Sequence, residues 1–93
     1  TVRPNGARGT DHGFGGAAFV AGGAVTGGQV IADWPGLSNA ALFDGRDLAA
    51  TTDMRSLFKA VLSDHLGVTD RHLNASVFPG SQNARALANV IRS

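Results

Sequence analysis

Gly9-Thr10-Asp11-His12-Gly13 sets a carboxylate beside an imidazole between glycines, and no other stretch of the 93 residues does so. Aspartate offers a hard oxygen and neutral histidine a nitrogen, a mixture that suits Zn²⁺ or Mn²⁺. The glycines matter here, because neighbours in a regular strand point to opposite faces and only a turning backbone lets both side chains converge. Asp11 and His12 are therefore candidate metal ligands. Zn²⁺ is the first choice, with Mn²⁺ or Ca²⁺ as alternatives, the latter less suited because it prefers an all-oxygen set. The competing reading is a solvated turn aspartate that happens to precede a histidine, since such dipeptides are common.

A metal site takes three or four protein ligands, and this pair supplies two. Most other titratable residues have ready structural explanations. His65 falls at the end of a predicted helix, where the dipole favours a protonated imidazole, and His72 lies in a polar turn. Asp53 suits the start of the same helix. Asp47 lacks an equally ready reason and, with Arg8, is carried as a residue that would orient a ligand or face the substrate. Arg8 and Arg46 have the charge to clamp an anionic ester, although scattered surface arginines rarely do anything so specific. Thr51 or Thr52 as a nucleophile is outweighed by the frequency of threonine N-caps. The pairs Gly22-Gly23 and Gly27-Gly28 have the composition of a phosphate cradle, but no helix opened by a lysine follows them, and turns explain them better.

These side chains need elements to hold them. Residues 1–16 read as an extended entry and a Gly-rich loop, in which Pro4 removes a donor and Asn5-Gly6 signals a turn. Residues 17–34 read as two strands, a buried Phe19-Val20 run and Gln29 to Trp34, joined through Gly27-Gly28 as a hairpin with Trp34 as a core anchor. A turn is expected at Asp44-Gly45, with a short strand at 41–43 before it. The spacing predicts a helix over 52–66, capped by Thr52 and stopped by Gly67. Its apolar face holds Met54, Leu57, Phe58, Val61, Leu62 and Leu66, and its polar face Arg55, Lys59, Ser63 and Asp64. Thr69-Asp70 can cap a short helical turn, and a last amphipathic helix is expected over 81–92 behind Ser81. The expected fold class is α/β, a short β-hairpin followed by two amphipathic helices.

A chain this short buries only roughly 60–65% of the surface that its unfolded form exposes. With 13 glycines it reads as a loop-rich piece rather than a self-sufficient domain. A net charge of +1 with scattered arginines leaves no basic stripe for nucleic acid. No apolar run is long enough for a membrane span, and the polar start is not a signal peptide. The absence of cysteine excludes disulfides and thiolate metal sites.

Thr10-Asp11-His12-Gly13, Gly22 to Gly28, Trp34-Pro35-Gly36-Leu37, Asp47 to Asp53, His65-Leu66-Gly67-Val68 and Val77-Phe78-Pro79-Gly80 come in an order that resembles the C-terminal part of the DUF1501 proteins. That family is placed in the alkaline phosphatase-like, sulfatase-like superfamily. The resemblance runs from about Asn5 to Gly80 and implies that residues 1–93 are one partial domain, a C-terminal fragment of an alkaline phosphatase-like fold. It also implies that Asp11 and His12 ligate a catalytic metal, with the nucleophile and remaining ligands upstream. Family members carry twin-arginine export signals, so a periplasmic or exported location is implied. Two functions follow as expectations. The chain is part of a metal-dependent hydrolase acting on anionic sulfate or phosphate esters, or it is a non-catalytic module that docks on a partner or missing segments, or forms homo-oligomers, through uncovered apolar faces and strand edges.

Overall fold

Asp53, rather than Thr52, caps the principal helix, α1 (Met54–Asp64). Its backbone is extended at φ −74°, ψ 126°, and its carboxylate accepts from the Arg55 N–H at 2.9 Å, satisfying one of the orphan donors of the first turn. The Arg55 guanidinium closes on the same carboxylate at 2.6 Å. Side-chain and backbone hydrogen bonds from Arg55 together pull the Asp53 carboxyl down to about 2. At the other end Gly67 takes φ +71° and donates to the Ser63 carbonyl at 3.0 Å, the left-handed stop that its lack of a Cβ permits.

The computed structural model describes residues 1–92. They form two compact units, one of Thr1–Phe19 with Ile31–Thr52 and one of Val20–Val30 with the chain from Asp53 onward. In the second unit α1 is followed by α2 (Asp70–His72), capped by the Thr69 hydroxyl, and by a wide π turn over Leu73–Val77 that seats Leu73 fully out of solvent. Apolar burial in this unit comes from Ala60, Leu73, Ala84 and Val90.

Helix α1 buries Ser56, Lys59 and Ala60, while Met54 and Phe58, and Leu66 beyond its end, are exposed. At about 100° per residue the buried set lies roughly half a turn round from the predicted apolar face. Lys59 explains this inversion. Its side chain is 4% exposed, and its ammonium donates to Asn74 Oδ1 at 2.6 Å and to the carbonyls of Ser81 and Ala84 at 2.7 and 2.8 Å. An ammonium has three donors, and here each has an acceptor.

The α/β expectation is overturned. Among the described residues there is no β-strand, sheet or hairpin, and hence no alkaline phosphatase-like α/β architecture; the chain is mostly irregular, with two short helices. Backbone pairing outside helices is reduced to two isolated antiparallel bridges, Val25 with Ile91 and Phe43 with Asp47. Phe19-Val20 is not a buried strand, since Phe19 is 98% exposed, and Trp34 at 64% exposed is not a core anchor. Neither segment finds a neighbouring strand to cover it. Residues 24–26 pair instead with the distant C-terminal stretch, the Thr26 N–H donating to Val90 at 2.8 Å and the Arg92 N–H to Ala24 at 2.7 Å.

That pairing removes the predicted helix over 81–92. Asn89 sits at φ +61°, outside the helical region, and Gln29 Nε2 donates to its carbonyl at 2.8 Å. Ser81 is not a cap: it is buried, its hydroxyl donates to Phe78, and its carbonyl faces Lys59. No described helix is long and apolar enough to cross a membrane.

The first unit is held by hydrogen bonds and a ring stack more than by apolar burial, with Leu42 its buried hydrophobe. Asp44 and Gly45 take φ 54° and 64°, the consecutive left-handed conformations that let the chain reverse between Phe43 and Asp47. The expected turn is there. The strand before it is not, beyond the single bridge at Phe43.

Candidate metal centre

Asn5 organises the loop that carries Asp11 and His12. Its side-chain oxygen accepts from the N–H groups of Ala7 and Gly9, each at 2.9 Å, and its backbone N–H donates to the Gly9 carbonyl at 2.8 Å. With the oxygen committed to two donors, the amide NH₂ must face outward, where Nδ2 donates to Asp11 Oδ1 at 2.9 Å. Thr1 holds Asp11 from the other side. Its hydroxyl accepts from the Asp11 N–H at 3.2 Å, and its nitrogen donates to the Asp11 carbonyl at 3.4 Å.

The loop is fastened to the turn over residues 43–47. Val2 donates to the Arg46 carbonyl at 2.9 Å, Gly15 donates to Leu48 at 2.8 Å, and the Phe14 ring stacks on Phe43 with centroids 4.0 Å apart. A Cβ on Gly15 would lie 2.7 Å from the carbonyl oxygens of Leu48 and Ala49. Only glycine lets the backbones come this close. Asp11 and His12 lie within this fastened loop, both open to solvent.

Asp47 is 4% exposed and receives the Arg46 guanidinium at 3.2 Å. Its place is thus accounted for by an ion pair and by the bridge to Phe43. The Arg46 guanidinium is pushed up from its ordinary value first by its hydrogen bond to Asp47 and then by the Asp47 charge, with smaller contributions from Asp11 and Asp44. Arg8, exposed at φ 64°, donates its backbone N–H to Asn5 at 3.0 Å and belongs to the loop's backbone.

Among the described residues no set of three or more His, Cys, Asp or Glu side chains converges on one point. Asp11 and His12 are neighbours in the chain and both exposed, and they fall short of the three or four protein ligands that a metal site takes. Asn5 was legible in the sequence only as a turn residue. The signal for its further role is the habit of asparagine side chains of bonding to the backbone two residues on, which turns the amide nitrogen toward whatever follows.

A family model described as a protein of unknown function, DUF1501, matches residues 1–78. This chain belongs to the DUF1501 family. The match takes in the Asp11–His12 loop, the Asp44-Gly45 turn, α1 and α2, so both fastened ends of the candidate site lie inside the part of the chain that DUF1501 proteins share. No curated protein and no solved structure matches the chain.

Proposed function

We propose that this DUF1501 chain supplies part of the metal site of a hydrolase acting on sulfate or phosphate esters, of the alkaline phosphatase-like, sulfatase-like kind. The observation that supports it is the Asp11–His12 pair, exposed within a fastened loop with the carboxylate oriented by Asn5. Asp11 and His12 would hold the metal, His12 as neutral imidazole. When bound, such an ion would supply Lewis-acid stabilisation of the negative charge that develops on an ester.

Isothermal titration of the chain and of His12→Ala with Zn²⁺ and Mn²⁺ tests the proposal. Wild type is expected to bind, and His12→Ala to lose at least about tenfold in affinity, as loss of one of few ligands should cause. Equal heats from both proteins would remove the metal reading. Sulfate and phosphate monoesters are the substrates to screen once binding is seen.

A second reading, a non-catalytic docking module, is favoured by a separate observation. The apolar face of α1 is left uncovered at Met54 and Phe58, and Leu66 just beyond the helix is exposed as well. A concentration-dependent mass in sedimentation equilibrium, together with no metal binding, would favour that reading over the first.

A further inference from the structure

Asn5-Gly6 is the one place in the chain where an asparagine precedes a glycine. Such a pair carries chemistry of its own, because the nitrogen of the second residue can close a five-membered succinimide ring on the side-chain amide of the first. Glycine, without a Cβ, leaves that approach unhindered. The asparagines at 39, 74, 83 and 89 precede alanine or valine.

The loop supplies each participant. Gly6 is exposed, and among the described residues its N–H has no acceptor, so its proton is free to pass to water. Asn5 Cγ is the electrophile. Its Oδ1 accepts from the N–H groups of Ala7 and Gly9, each at 2.9 Å, the range at which backbone donors stabilise an oxyanion. The contact with Ala7 spans Gly6 and turns the side chain along the backbone toward the attacking residue. The leaving group, Nδ2, donates to Asp11 Oδ1 at 2.9 Å, which leaves the nitrogen richer in charge and easier to protonate.

We propose that Asn5 is a self-modification site: the loop promotes succinimide formation at its own Asn5-Gly6 pair, and the product unfastens the loop from Asp11. No metal takes part. The Gly6 nitrogen gives its proton to water and bonds to Cγ, while the C=O electron pair moves onto Oδ1, where the two N–H groups meet it. The carbonyl re-forms as the Cγ–Nδ2 bond breaks, and Nδ2 leaves as ammonia with a proton taken from water. Water then opens the ring. Attack at Cγ leaves an aspartate, and attack at the backbone carbonyl leaves an isoaspartate whose chain runs through the former side chain. Either product removes the donor to Asp11 and sets a carboxylate against the Asp11 carboxylate, two like charges at hydrogen-bond range. The isoaspartate also lengthens the backbone within the ring that the Asn5 N–H closes on Gly9.

The full chain is held at neutral pH and sampled over days by peptide mapping, which reads the exchange of NH₂ for OH as a mass gain and separates isoaspartate from aspartate. Asn5 is expected to convert while the other asparagines do not. Gly6→Ala is the control: a Cβ there meets nothing within 4 Å and Gly6 is outside the left-handed region, so the loop is kept while the attack is hindered. This variant is expected to stay unconverted over the same time. In urea the Ala7 and Gly9 donors no longer hold Oδ1, and conversion of the wild type is expected to slow. The converted chain, separated by its extra negative charge, is expected to show faster amide hydrogen exchange at Arg8 and Gly9, whose N–H groups bond to Asn5 in the intact loop. Conversion no faster in the folded chain than in urea overturns the loop's part in the reaction, and equal conversion of Gly6→Ala overturns attack by the Gly6 nitrogen. Unchanged exchange in the converted chain overturns the release. An Asn5 that stays unmodified overturns the whole.

Discussion

Lys59 is the side chain whose environment departs furthest from its type. Lysine is almost never fully buried without a partner, and here the partners are neutral oxygens, two of them backbone carbonyls. The ammonium thereby gives the Ala84 carbonyl a donor, adds a second to the Ser81 carbonyl, which also accepts the Ala84 N–H at 2.9 Å, and ties that segment to α1. Lys59→Met keeps the stem and removes the three donors, leaving the buried Ala84 carbonyl without its proton and Ser81 and Asn74 with one donor fewer each. It is expected to cost on the order of 3 kcal/mol in unfolding free energy by urea titration. A loss below about 0.5 kcal/mol, the size of an ordinary surface change, would show that water replaces the ammonium without penalty.

Helix α1 owes its start to Asp53 as much as its interior owes its register to Lys59. The Asp53 carboxyl is held at about 2 in the folded chain against an ordinary value of 3.8. The folded state thus binds fewer protons than the unfolded state between these values. The stabilisation is complete above pH 3.8 and is lost as pH falls through about 2. Asparagine caps helices nearly as well as aspartate but does not titrate. Thermal melts followed by helical circular dichroism should therefore show wild type losing stability more steeply than Asp53→Asn over this window. Parallel curves for the two proteins would mean that Arg55 holds the carboxylate equally in the unfolded chain.

Large apolar side chains are left in water in both units: Phe19 and Val30 are almost fully exposed, and the outer face of α1 is half uncovered. A reporter dye that fluoresces on apolar surface should brighten with the native chain and dim when urea unfolds it. No brightening would mean that these side chains are covered in solution, and sedimentation would then reveal a self-associated species.

The sequence by itself determined the features whose causes lie within a few residues of one another. The α1 helix with its Gly67 stop, the Asp44-Gly45 reversal, the Thr69 cap and the glycine-flanked exposure of Asp11 and His12 are all of this kind. Each depends on local φ/ψ preference or on a side chain reaching its own turn. Tertiary structure decided which face of α1 is buried, because an ammonium on the polar face met carbonyls of Ser81 and Ala84 that no helical periodicity encodes. It decided the course of residues 24–26 and 90–92 as well. Their hydrogen bonds go to each other across more than sixty residues, and that long-range pairing overrides the helical spacing of Ala84 to Ile91. The Asn5–Asp11 contact lies between the two cases: the turn is written locally, but which atom the amide meets depends on how the loop folds back against Thr1 and the turn at Phe43.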